Sequence, residues 1–188
     1  MDLLINYLLQ FGQLNQQQID LIKSKAEIKS LKKDEYFHEA GRVPHEIIFI
    51  ILGIFRVVYH NNKGDEITKY FLDENNFLAD ILSYNQHIPS TEYVQAVTDC
   101  EYIAFSRKAM EELSMTIIGW DAIIAKITAK GLADKVNRIS PMMADNAKDR
   151  YLNFLTNFPN LANRIPLSYL ASYIGITQSS LSRIRKSI

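Results

Sequence analysis

Four short or cationic side chains, Ser179, Ser182, Arg183 and Lys186, recur three and four residues apart near the end of the chain. A helix there carries all four on one face, with Leu181, Ile184 and Ile188 as the inner stripe opposite. Small hydroxyls around one arginine suit the edge of a base pair. Serine lets a helix approach closely, and a guanidinium donates two hydrogen bonds to guanine O6 and N7. Gln178, at the helix start, carries the amide that pairs with adenine, while Arg185 and Lys186 match phosphate, adding affinity without sequence information. With Thr177 and Ser180 these residues form the candidate nucleic-acid surface, and Arg183 and Ser179 are its centre.

Such a face needs a scaffold, and the preceding residues specify one. Pro166 stands where the first turn of a helix tolerates it, and Leu167, Leu170, Ala171 and Ile174 follow at i, i+3, i+4 and i+7. Gly175 then supplies the positive φ of a sharp turn, Ile176 plugs the corner and Thr177 caps the second helix. The expected unit is a helix-turn-helix over Leu167 to Lys186; an ordinary helical hairpin with a basic face is the competing reading. Charge agrees with the first. Residues 1–139 carry 15 Lys and Arg against 19 Asp and Glu, whereas residues 140–188 carry six against two.

Upstream, residues 1–29 show helical periodicity in two stripes, Leu4, Tyr7, Leu8 and Phe11, then Ile19, Ile22 and Ala26, which predicts two short helices. From Tyr36 the pattern shifts to β-rich runs, Glu46 to Ile51, Ile54 to His60, Ile67 to Leu72, Tyr93 to Val97 and Tyr102 to Phe105. Gly41, Gly53 and the Asn61-Asn62-Lys63-Gly64-Asp65 turn punctuate them. A long helix is expected from Ile117 to Ile139. Its stripe of Ile117, Trp120, Ile124, Ile127 and Gly131, continued by Leu132, Val136, Ile139 and Met143, has the spacing of a dimer seam; packing on the chain's own β domain is the alternative. Pro141 interrupts it, and Ala147, Tyr151, Phe154, Leu155 and Phe158 mark another helix ending at Pro159. The class is α+β: a β-roll or jelly roll with flanking helices over 1–116, a dimerisation helix over 117–141 and a helix-turn-helix domain over 142–188.

This succession resembles the CRP/FNR superfamily of bacterial transcription regulators. The similarity is sharpest over the segment from Ile176 to Lys186, where the family's base readers correspond to Gln178, Ser179 and Arg183. The resemblance implies a cyclic-nucleotide-binding-like roll and a homodimer on a pseudo-palindromic duplex, its half-sites about 34 Å apart. It also leaves room for a small-molecule effector and for RNA polymerase as a partner. The family's phosphate-binding cassette runs Gly-Glu, then Arg ten residues after the Glu, then Ser or Thr; the matching positions are Ala79, Asp80, Ser90 and Thr91. Without the arginine no cation pairs with a cyclic phosphate, so cyclic AMP sensing is not expected, and residues 77–89 are read as a loop and short helix closing the roll. Family members continue into a β-hairpin wing, whereas the sequence ends at Ile188, so affinity is expected to lean on dimerisation and on Arg183, Arg185 and Lys186.

Other classes fit less well. Cys100 is the single cysteine, which excludes an intramolecular disulfide and a Cys-ligated cluster. A cupin-like metal enzyme would need converging histidines, but His38, His45, His60 and His87 fall in four separate segments without a His-x-His pair. No Gly-x-Ser-x-Gly or phosphate-cradling glycine loop occurs, so no enzyme activity, metal or cofactor is expected. A non-DNA-binding interaction protein that uses the same roll and helix is the remaining rival. No run approaches the ~20 apolar residues of a membrane span, and the start of the chain does not read as a targeting signal, so a cytoplasmic protein without membrane contact is expected.

Overall fold

The computed structural model describes residues 1–139 and 146–188. The described elements are α1 (Asp2–Leu8), α2 (Gln16–Lys25), β1 (Glu27–Leu31), β2 (Tyr36–His38), β3 (Glu46–Leu52), β4 (Phe55–His60), β5 (Glu66–Leu72), β6 (Phe77–Leu78), α3 (Ile81–Gln86), β7 (Tyr93–Ala96), β8 (Cys100–Ser106), α4 (Arg107–Thr116), α5 (Trp120–Ile139), α6 (Ala147–Asn157), α7 (Leu167–Ile174) and α8 (Gln178–Lys186). Two four-stranded antiparallel sheets, β1-β8-β3-β6 and β2-β7-β4-β5, make the expected roll.

The β3 sequence Glu-Ile-Ile-Phe-Ile-Ile-Leu is a continuous apolar run because its strand is covered on both faces. Ile48 and Ile50 join Phe55, Val57, Val94 and Tyr102 in a core between the sheets. Phe49 points the other way and packs with Ile103, Phe105 and the N-terminal residues Leu4, Leu8 and Ile22. The period of two along β3 thus feeds two cores.

Three strands were not expected from sequence, β1, β2 and β6. β1 is half-exposed along its length and lacks an apolar alternation, so its sequence carried no strand signal. It begins at Glu27, which corrects the helical reading of residues 26–29: α2 is capped at its start by a reciprocal Asn15 and Gln18 box and stops at Lys25. The long helix is also shorter than expected. Gly119, with φ of 88°, breaks the chain between α4 and α5, so α5 starts at Trp120 rather than Ile117. Pro141, Met143 and the expected boundary at 141/142 lie outside the described residues.

One hydrophobic cluster continues from the sheets into the C-terminal helices, taking in Phe71, Tyr151, Phe154, Leu170, Tyr173 and Leu181. Among the described residues no helix is long and apolar enough to cross a membrane.

Candidate nucleic-acid interface and roll cavity

Residues 166–187 form two helices joined by a turn. Leu170, Ala171 and Ile174 are buried and Leu167 partly so, as their spacing requires. The chain reverses through Gly175, whose φ is 78° and whose N–H bonds back to the end of α7. Thr177 Oγ1 accepts a hydrogen bond from the Ser180 N–H at 3.2 Å, the cap that starts α8. Leu181 is fully buried beneath α8. Thr177, Gln178, Ser179, Arg183, Arg185 and Lys186 are exposed on the other side, with Ser180 and Ser182 half-exposed beside them. All eight expected contact residues therefore share one accessible, cationic helix and its cap. The inner stripe needs one correction: α8 ends at Lys186, and Ile188 is 61% exposed rather than buried, because it lies beyond the last helical turn.

α7 docks on β5, an edge strand with β4 as its single partner. Ser172 Oγ accepts from the Thr68 N–H at 3.0 Å and donates to the Glu66 carbonyl at 3.2 Å, so a side chain takes up strand-edge groups that no further strand covers. Arg56, 2% exposed, bonds Gln95 at 2.8 Å, ion-pairs with Glu66 and lies 3.5 Å beneath the Tyr169 ring. Arg164 makes a two-pronged pair with Glu74, whose Oε1 also accepts from the Gly53 N–H at 2.8 Å. Those hydrogen bonds, the Arg164 pair first, hold the Glu74 carboxyl at about 2 against partial burial. Phe71, Phe154 and Tyr173 close the joint with edge-to-face contacts.

The four cassette positions meet at one cavity of about 450 Å³ between the roll and α5. Asp80 caps α3 by accepting from the Ser83 N–H at 3.2 Å. Burial pushes the Asp80 carboxyl up, but hydrogen bonds from Ser90 and Ser83 and the nearby charge of Lys135 outweigh it and hold it below the usual carboxylate range. Ser90 is buried, and its Oγ accepts from the Glu92 N–H at 3.0 Å. Thr91 completes the rim beside Ala79. Residues 77–89 therefore do more than close the roll, since they supply the cavity with a wall.

Two further lining residues, Thr128 and Lys135, were not singled out from sequence. They stand seven residues apart on α5, two turns along one helix face, and that spacing was the available signal. The same face explains a correction to the expected dimer seam. Ile117, Trp120 and Ile127 are 2%, 3% and 7% exposed and pack with Leu4, Leu8 and Phe105 of their own chain. They have no surface left for a partner. Ile124 is half-buried in the same cluster, and it lines the cavity together with Gly131. Among the described side chains of α5, the large apolar ones left open are Leu132, 54% exposed, and Val136, 64% exposed. No three His, Cys, Asp or Glu side chains converge as metal ligands among the described residues.

The cyclic nucleotide-binding domain family matches residues 28–116, the roll and α4. No curated protein matches the sequence. Several solved structures share the fold. The c-di-GMP responsive global regulator CLP of Xanthomonas campestris superposes with a TM-score of 0.72 at 15% identity, covering 92% of this chain and 91% of that one. FixK2 of Bradyrhizobium japonicum gives 0.71 at 17% identity over 86% of this chain and 83% of its own. The Thermus thermophilus catabolite activator protein gives 0.59 at 18% identity over 96% and 85%. The likeness spans the C-terminal helices as well as the roll, and at these identities it establishes the fold.

Proposed function

From a roll of the cyclic nucleotide-binding domain family joined to C-terminal helices in the CRP/FNR arrangement, we propose that the chain is a homodimeric, cytoplasmic transcription regulator that binds double-stranded DNA. In this reading residues 1–116 sense, 117–141 pair two chains and 142–188 contact DNA, with no catalytic step. Each protomer lays Gln178 to Lys186 into a major groove, so that two copies read a pseudo-palindromic site with half-sites about 34 Å apart. Arg183, Ser179 and Gln178 address base edges; Thr177, Ser180, Ser182, Arg185 and Lys186 hold the backbone. The family resemblance leaves room for RNA polymerase as a partner of the DNA-bound dimer.

The observation that carries this reading is α8 itself, a capped helix with one face buried on Leu181 and a hydroxyl-rich face on which Arg183, Arg185 and Lys186 are exposed. The Thr177 hydroxyl caps the helix, but three cations on its outer side add nothing to packing. Selection of duplexes from a random pool by the purified protein should return an inverted repeat, and affinity for it should fall steeply with salt as phosphate counterions are released. Recovery of no enriched sequence, with binding insensitive to salt, would refute DNA reading and leave an interaction protein.

A further inference from the structure

The walls of the cavity between the roll and α5 do not suit the phosphate of a cyclic nucleotide. Its charges already cancel. Glu92 is paired to Lys69 and Asp134 to Lys130 at 2.5 Å, which leaves Asp80 and Lys135 as the remaining, opposite charges of the lining. Lys135 is further engaged over the Tyr70 ring, 5.1 Å from its centroid. At the cassette, Ser90 stands where a phosphate-pairing cation would be needed, its hydroxyl already engaged with the Glu92 backbone. A phosphate entering here would meet the Asp80 carboxylate and find no surplus positive charge to replace the hydration it loses.

The rest of the lining is of another character. Val57, Leu72, Leu78, Ile88, Val94 and Ile127 line the space, together with the hydroxyl-bearing Thr91 of the cassette and Thr128 of α5. About 450 Å³ lies within the range of roughly 300–1,000 Å³ typical of pockets that enclose small organic molecules. Largely apolar walls, balanced charge and two hydroxyls define the complement of the ligand. We infer that this cavity binds an uncharged, mainly apolar organic molecule, ring-sized and bearing a hydroxyl or carbonyl for Thr91 and Thr128, in place of a cyclic nucleotide.

The strand that carries this wall also carries the C-terminal helices. Tyr70 and Leu72 of β5 line the cavity, while Phe71 between them packs on Tyr173 at 5.5 Å and the Thr68 N–H bonds Ser172. A ligand pressing on Tyr70 and Leu72 acts on the same strand to which α7 is fixed.

The test needs no DNA, so it stands or falls apart from the DNA-binding reading. The purified chain is titrated with the neutral fluorophore N-phenylnaphthylamine and, separately, with its negatively charged sulfonate counterpart. One neutral probe per chain should bind with enhanced emission, the sulfonate should bind at least about tenfold more weakly, and excess cyclic AMP or cyclic GMP should displace neither. Thr128→Trp on α5 and Thr91→Trp in the cassette, at half-exposed and exposed positions, should each cut probe affinity at least about tenfold while leaving the melting temperature near that of the parent. Displacement by either cyclic nucleotide, preference for the sulfonate, or undiminished binding in both folded variants would overturn the assignment. The titration of the parent chain with cyclic nucleotide decides the matter even if both variants fail to fold.

Discussion

Arg183 and Lys186 lie one turn apart on α8, both exposed, yet they should behave differently because their side chains reach different parts of a duplex. Arg183, flanked by Ser179 and Ser182, lies where the helix approaches most closely, and its fork can satisfy two acceptors of one guanine. Arg183→Ala should weaken binding to the selected site by about 1–3 kcal/mol and erase base preference at one position per half-site, whereas Lys186→Ala should weaken all duplexes alike and reduce the salt slope by about one. Affinity measured on single-base variants of the site separates the two outcomes; an unchanged preference in Arg183→Ala removes it from base reading. Glu74 offers a second residue-scale test, in stability rather than recognition. Its carboxyl is held at about 2, below its ordinary value of 4.5, so its contribution is complete above pH 4.5 and is lost as the pH falls toward 2. Glu74→Gln should therefore destabilise the chain near neutral pH, by about 1–3 kcal/mol given the pair's partial exposure, and should flatten the acid side of its stability curve across that window. Denaturant midpoints from pH 7 down to pH 3 read this directly; parallel curves for parent and variant would assign the acid transition to other carboxylates.

At the scale of elements, the turn between α7 and α8 is the place where a single atom matters. A Cβ on Gly175 would meet nothing within 4 Å, so the cost of Gly175→Ala is that of holding a positive φ of 78° and not of a clash. That cost is about 1–2 kcal/mol. It should fall on the C-terminal helices alone: amide exchange should quicken in α7 and α8 while β3 and β8, deep in the roll, keep their protection. Uniform acceleration across the chain would mean that roll and helices open as one unit. The same turn shows why this part of the fold could be read from sequence. A glycine, a cap and two apolar stripes of helical period are local signals, complete within about twenty residues. The cavity was not legible in the same way, although its cassette positions were. Lys135 and Thr128 share a helix face through their spacing, but they belong to the cavity through the way α5 lies across the roll, a tertiary fact that the spacing alone does not encode. Ile117, Trp120 and Ile127 were misplaced for the related reason that an apolar helical stripe has the same period whether it meets its own sheet or a second chain. β1 and β2, short and half-exposed, had no alternation to betray them.

For the whole molecule, that correction relocates the surface on which dimerisation depends. If two chains pair along α5, the contact must use what the roll leaves uncovered, and among the described side chains of this helix Leu132 and Val136 are the large apolar ones, 54% and 64% exposed. They are four residues apart, on one stripe toward the C-terminal end of α5, so two such helices side by side would bury four large side chains near their exit toward the C-terminal units. Charge placed there opposes a copy of itself across a two-fold axis, which makes Leu132→Asp with Val136→Asp a sharper probe than alanine. Neither position lies in the core, so the double variant should melt close to the parent. Sedimentation should shift it from dimer to monomer, and its affinity for a full inverted repeat should fall by at least about tenfold while a single half-site is bound as before, because linked binding of two half-sites is what a dimer adds. Aspartates that leave the dimer intact would place the interface elsewhere; a monomer that still binds the full repeat at parental affinity would show that pairing through α5 contributes nothing to recognition.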